Sequence, residues 1–413
     1  MLHLSFQLDS IGLKHLLQFM KFQKLPRNVW ILGFVSLLTD ISTDMIYSLL
    51  PLFLVSTLGA SVWTIGLIEG VAEASASIAK IFSGALSDYL GRRKSLAVLG
   101  YGLSTFVKPL FALAASPAWV LIARFGDRIG KGIRAAPRDA LVADATLPQM
   151  RGAAYGLRSS LDTIGAFLGP LLAFALMTIS GKNFRLVFAL ALIPGILAVG
   201  LLIAGVQESR TNTKHIKVNP LRLTSLRNMG QPYWLLVAVA LLFNLGNSSE
   251  AFLLLQAQQK GIATSLIPLT LVVMNIAYAL SAYPLGVLSD RIGRQGLLMS
   301  GFSLYALVYL GFAFVQVSWQ VWGLFACYGL YLGISQGVLR ALVADKVAPE
   351  VRGTAFGFIN LATGIALLPA SLLAGFLWQR LGSEATFFAG SIFAVAATLL
   401  LAFSYRNERT FKL

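Results

Sequence analysis

Hydrophobic residues run along this chain in stretches of about twenty, each ended by a short polar or charged segment. About 20 consecutive apolar residues suffice for a helix to cross a bilayer. Twelve such stretches are read, centred near residues 45, 75, 105, 130, 165, 195, 243, 275, 307, 332, 365 and 393. They are too long and too unalternating for barrel strands. In lipid the backbone must satisfy its own hydrogen bonds, so helices are expected. The expected fold class is therefore an all-α membrane protein with twelve transmembrane helices in two six-helix bundles.

The division into two rests on an internal repeat. Gly84-Ala-Leu-Ser-Asp88-Tyr-Leu-Gly91-Arg92 returns as Gly286-Val-Leu-Ser-Asp290-Arg-Ile-Gly293-Arg294, an offset of 290 − 88 = 202. Leu141-Val-Ala-Asp144 through Gly156 returns as Leu342-Val-Ala-Asp345 through Gly357, at 345 − 144 = 201. Trp30 to Asp40 parallels Trp234 to Asn244, at 244 − 40 = 204. Near-constant offsets mean homologous halves. The predicted boundaries are a tail over 1–28, a bundle over 29–206, a linker over 207–231, a bundle over 232–405 and a tail over 406–413.

Composition sharpens this picture. Hydrophobic residues make up 57% and charged ones 12% of the 413, where soluble domains carry roughly 25% charged residues. The formal net charge of +16 would suggest nucleic acid in a soluble protein. Here the cations cluster in alternate loops, while the loops near 60, 117 and 318 carry no Lys or Arg. That is the positive-inside pattern. It predicts a multi-pass protein of the cell inner membrane with both termini cytoplasmic and no nucleic-acid partner. Residues 1–28 lack a cleavage site after a central apolar run. Leu8, Ile11, Leu16, Leu17 and Met20 among lysines fit either an interfacial helix or a plain tail. The one cysteine, Cys327, excludes an internal disulfide and a multi-Cys metal site; within a span it is expected in the core. No metal site and no cofactor are expected. No nucleotide-binding loop or nucleophile triad is visible, so neither an enzyme nor an ATP-driven pump is expected. His3, His15 and His215 fall in the tail or linker, away from any proton relay.

The Gly-x-Leu-x-Asp-x-x-Gly-Arg loops resemble the hallmark loop of the major facilitator superfamily. Leu121-Ile-Ala-Arg124 with Gly130 resembles the family's fourth-helix motif. Gly156-x8-Gly165-x3-Gly169-Pro170-x2-Ala173 is similar to its fifth-helix antiporter motif, with Ala173 in place of a final Gly. The resemblance implies two bundles around a central cavity that opens alternately to each side. It makes Gly84, Asp88, Gly91, Arg92, Gly286, Asp290, Gly293 and Arg294 gating candidates. Glycines in these loops allow close backbone approach, and Asp88 can pair with Arg92 or cap a helix. Gly165 and Gly169 allow close helix packing, and Pro170 favours a bend.

The fourth span carries the most unusual chemistry. At about 100° per residue, Arg124, Arg128, Lys131 and Arg138 fall within an arc of about 80°. Asp127 and Arg134 border the arc on one side and Asp139 on the other; Phe125, Ile129 and Ala136 lie opposite. Such a stripe must face water or counter-charge. Candidate counter-charges are Asp40 and Asp44, one turn apart on the first span, Glu69 and Glu73, which share a face of the second with Lys80, and Asp162, one turn from Arg158 on the fifth. Lys108 stands alone on the third, before Pro109. The second half offers mainly Asn244, Asn247, Glu250, Gln336, Arg340 and Asn360. Asp40, Asp44, Glu69, Glu73 and Asp162 are the proton-coupling candidates, because a carboxyl alternately hydrated and desolvated exchanges its proton. Arg124, Asp127, Arg128, Lys131, Arg134, Arg138, Arg158, Asn244, Asn247, Gln336 and Asn360 are the cavity candidates.

The leading expectation is a monomeric, proton-coupled antiporter that exports a small organic compound, with protons, substrate and lipid as its partners. A carrier of a phosphorylated or metal-chelating organic anion is the alternative, since Arg binds such groups bidentately. A membrane sensor that retains the fold without transporting is the alternative of another class.

Overall fold

The computed structural model describes residues 25–90, 92–147, 150–208, 229–347 and 352–410. The described residues are helical nearly throughout. In chain order the segments are α1 (Arg27–Ser56), α2 (Val62–Leu90), α3 (Arg93–Leu113), α4 (Pro117–Asp144), α5 (Arg151–Ile179), α6 (Phe184–Gly205), α7 (Gln231–Gln259), α8 (Ile267–Ile292), α9 (Arg294–Phe314), α10 (Ser318–Lys346), α11 (Arg352–Leu381) and α12 (Ser383–Thr410). Nine of these contain a stretch long and apolar enough to cross a membrane. The other three are α2, α4 and α8. Of these, α4 carries the cation stripe, and the apolar part of α8 over Ile267–Ala282 is shorter.

Several segments are broken. α1 breaks at Ser48 and Leu49, ahead of Pro51. α3 breaks at Val107, ahead of Pro109; proline suits a helix start because its missing N–H has no partner to lose there. α7 breaks over 247–250, where Asn247, Ser248, Ser249 and Glu250 interrupt the apolar run. The α12 helix continues to Thr410, past the boundary at 405 read from hydropathy. A helix is held by its own backbone ladder, so it can outlast its apolar stretch. Cys327 is exposed rather than in the core. It shares an outward stripe of α10 with Gly323 and Leu330, a face that lipid would cover.

Each half packs mainly on itself: α1 on α5, α2 on α4 and α3 on α4 in the first, α8 on α10 and α9 on α12 in the second. The halves meet along α2 with α11, α5 with α8, and the second pieces of α1 and α7. The α2–α11 seam is close because glycines line it. A Cβ on Gly70 would lie 2.9 Å from Leu368 Cδ1, and one on Gly375 would lie 2.9 Å from the Trp63 backbone. On the α5–α8 side, Asn275 Nδ2 donates to the Ala166 carbonyl at 3.1 Å.

Leu50–Ser56 packs against Ala251–Gln259, and Ala251 and Leu255 join the apolar cluster of the first half around Phe53. This contact shuts the end of the molecule away from the linker. Nearer the linker end the facing residues Gln336, Arg340 and Asn360 are exposed. The cavity between the halves therefore opens toward the linker end.

Candidate functional site

The central cavity holds about 570 Å³ and lies between the halves at mid-height. Its first-half wall is Asp40, Thr43, Asp44 and Tyr47 from α1, Glu73 from α2, and Asp127, Arg128, Lys131 and Arg134 from α4. The broken stretch of α7 supplies Asn247, Ser248, Ser249 and Glu250, and α10 supplies Tyr328 and Gln336. A second space of about 240 Å³ joins it through Asn247, Leu332 and Gln336 and runs into the second half. Its walls include Asn244, Asn360 and Arg340, with Phe243, Phe302 and Tyr331 behind them. Together the two spaces match the size of a small-molecule site.

The α4 stripe faces inward. Arg124, Asp127, Arg128 and Arg134 are buried, while Phe125 and Ile122 on the opposite face are exposed. Arg124 makes a two-pronged contact with Glu69: Nε donates to Oε1 at 3.0 Å and Nη2 to Oε2 at 2.8 Å. Both side chains are only 2% exposed. Arg124 also approaches Asp127 at 3.9 Å and sits 4.8 Å from the centre of the Tyr47 ring. Arg128 pairs with Glu73 at 3.1 Å. Arg134 has no carboxylate partner within 4 Å among the described residues; it donates to Ser104 Oγ at 2.7 Å and lies over the Tyr101 ring. Arg138 and Arg158 both donate to Asp139 Oδ1, at 3.1 and 3.2 Å, and Arg158 reaches Asp162 at 3.6 Å. The stripe is thus largely tied to acids of its own half.

Asp40 and Asp44 differ from the other acids. Each is partly exposed to the cavity, and neither has an ion-pair or hydrogen-bond partner among the described residues. They stand where α5 presses on α1. A Cβ on Gly165 would lie 2.9 Å from that of Asp40, and one on Gly169 would lie 2.8 Å from that of Asp44. The glycines of the fifth-helix motif therefore set how closely α5 backs these carboxylates. Lys131 also lines the cavity, exposed and without an ion pair among the described residues. Lys108 is buried behind Asp44, donating to Ser42 Oγ and, at 3.5 Å, to Thr43 Oγ1.

Of the loop residues, Gly84 and Gly286 lie within α2 and α8, Arg92 is exposed just before α3, and Gly293 turns the chain at φ +98°. Gly91 and the side chains of Asp88 and Asp290 lie outside the described residues, as do 1–24 and most of the linker. Gly156 is exposed near the start of α5, and Pro170 is buried within that helix. The loops join the two repeat motifs to each other. Arg294 Nη1 donates to Asp345 Oδ2 at 2.6 Å and to the Ala341 carbonyl at 3.4 Å. The matching first-half contacts, to Asp144 and to the Ala140 carbonyl, come from Arg93 rather than Arg92. The spacing is the same, 144 − 93 = 51 and 345 − 294 = 51. The first loop is one residue longer, so sequence alignment pairs the wrong arginine.

Three participants escaped the sequence reading. Tyr47 follows Asp40 and Asp44 at helical spacing on the same face and receives Arg124. Ser249 Oγ lies 3.5 Å from Glu69 Oε2, linking the halves at the shut end. Glu250, seen only as a polar residue of the second half, lines the cavity with no ion pair to any described residue. A four-residue polar run inside an apolar span was the available signal for the last two.

The sequence model of the Major Facilitator Superfamily matches residues 32–370. This chain belongs to that superfamily. It is 34% identical over 389 residues to an uncharacterized MFS-type transporter of Methanocaldococcus jannaschii, covering 92% of this chain and 96% of that protein. It is 26% identical to the multidrug resistance protein MdtH of Aeromonas hydrophila, over 82% of this chain and 84% of the other. Among solved structures it superposes on a bacterial homolog of the human lysosomal transporter Spinster, inward-facing and unoccupied. The TM-score is 0.76 at 17% identity, over 92% of this chain and 96% of that one; at that identity the likeness speaks for fold alone. The protein is a multi-pass membrane transporter of the superfamily, not an enzyme, and its partner is a small-molecule substrate.

Proposed function

We propose that this transporter is a proton-coupled antiporter that exports a small organic compound by alternating access, with Asp40 and Asp44 as its coupling carboxylates. The observation that carries this reading is their lack of a fixed partner: two acids face the central cavity with no ion pair to any described residue. Glu69 and Glu73 are held by Arg124 and Arg128, which suits a fixed structural role. Asp162, near Arg158, is the weaker third candidate. When the cavity changes sides, the hydration of Asp40 and Asp44 changes with it, and a carboxyl so treated gains or loses a proton. A substrate arriving at the same wall competes with that proton, which is the requirement for exchange.

The distribution of Lys and Arg supports a linker end on the cytoplasmic side of the inner membrane; on that reading the cavity is open inward and ready to load. A single chain forms the whole cavity, in keeping with a monomer. The organic-anion reading ranks second: Arg124 and Arg128 are engaged by Glu69 and Glu73, which leaves it Lys131 and Arg134 on a wall that also carries Asp40 and Asp44.

The test uses proteoliposomes with a trapped pH-sensitive dye. A compound panel is first screened for binding by thermal stabilisation. Compounds that bind should drive proton movement through the wild type. Asp44→Asn should abolish that movement, and Asp40→Asn should weaken it while binding persists. Proton flux equal to wild type in both variants would defeat the proposal.

A further inference from the structure

The charges that line the connected spaces are layered along the path to the linker end. In the central cavity the carboxylates are Asp40, Asp44, Glu73, Asp127 and Glu250 and the cations are Arg128, Lys131 and Arg134, a formal balance of 3 − 5 = −2. Among the described residues that line the side space the one charged residue is Arg340, giving +1. Arg340 is exposed and has no ion pair with any described residue. It lies 346 − 340 = 6 residues from the linker end of α10, about 9 Å along the helix. Glu250 stands at the opposite, shut end, where α7 resumes.

Between the two poles the side space is built for contact. Phe243 and Phe302 stack at 4.0 Å, and Tyr331 closes on Phe243 at 5.8 Å. Asn360 and Gln336 are exposed into it.

Resting on the antiport reading above, we infer that the substrate is amphoteric. Its amine lies at the shut end between Asp44 and Glu250, its carboxylate or phosphate meets Arg340, and its apolar or aromatic middle lies along Phe243 and Tyr331. A simple organic cation would leave Arg340 unanswered, and a simple anion would meet a central cavity of its own sign. The amphoteric class answers both poles at once. It also explains why this wall carries amides and one guanidinium where the first half carries carboxylates.

The test is equilibrium binding to the full-length protein in nanodiscs, with no pH gradient, so a failure of proton coupling leaves it readable. The probes are ω-amino carboxylates of graded chain length, with and without a phenyl ring, together with the matching amines and the matching acids. One chain length of the amphoteric series should bind about tenfold or more tightly than either single-charge analogue, the gain of one charge-assisted contact. Arg340→Gln should remove the advantage over the amine, and Arg340→Lys should restore part of it. Glu250→Gln should remove the advantage over the acid. A wild-type protein that binds the bare amine as tightly as its amphoteric partner overturns the inference. So does an Arg340→Gln variant that leaves the ratio unchanged, or a probe series in which nothing binds.

Discussion

At the scale of single residues, the Arg124–Glu69 pair sets the strongest constraint. Two groups 2% exposed hold each other in a two-pronged contact, far from water that could replace either. Removing one partner of such a pair costs about 3–5 kcal/mol, because the other charge stays buried. Arg124→Gln should therefore lower the thermal midpoint of the detergent-solubilised protein sharply. The double variant Arg124→Gln with Glu69→Gln should recover most of the loss, which a double-mutant cycle measures. Both residues could be picked out of the sequence as charges in apolar surroundings, but not their partnership. Helical spacing puts Arg124 on a face of α4; which acid of which neighbouring helix meets it depends on packing between helices. Tyr47 was missed for a similar reason. Its ring receives Arg124, and nothing in a lone aromatic residue within an apolar span announces a cation.

At the scale of elements, the sequence was read most securely where glycine and proline shape contacts. Gly165 and Gly169 could be recognised as a packing motif, and α5 does press there on α1. That the pressed positions are Asp40 and Asp44 was not legible, because register between two helices is not written in either one. A side chain at Gly165 would strike the Leu37 carbonyl at 2.7 Å and the Asp40 Cβ at 2.9 Å. Overpacking of this kind costs about 1–3 kcal/mol. Gly165→Val should lower stability within that range and displace α5 from the carboxylates, read as proton flux per bound substrate falling below wild type. The same substitution at Gly156, with open space around it, should leave stability within about 0.5 kcal/mol of wild type. The loop before α3 shows the limit of repeat alignment. Equal motifs suggested Arg92 and Arg294 as equivalents, yet a single added residue moves the contact with Asp144 to Arg93.

At the scale of the whole molecule, hydropathy gave the helical architecture and the repeat gave its halves, both of which follow from period and length alone. The direction in which the cavity opens was not legible, since it depends on which of two packings the halves adopt. Here Leu50–Ser56 against Ala251–Gln259 closes one end and leaves Gln336 and Asn360 exposed toward the other. Single cysteines at Gln336 or Asn360, in a Cys327→Ser background, should react with a membrane-impermeant thiol reagent applied from the linker side. They should be protected from the far side. Equal labelling from both sides would contradict the closure at α1 and α7.

The four-residue interruption of α7 has one more consequence. Backbone carbonyls and amides freed at such a break are polar groups whose direction changes whenever the two pieces pivot, so a swing of Ala251–Gln259 would carry Glu250 and Ser249 along with it. The joint thus couples what the pocket holds to whether the far door stands shut: a cargo gripping Glu250 pulls on the same short lever that presses against Phe53.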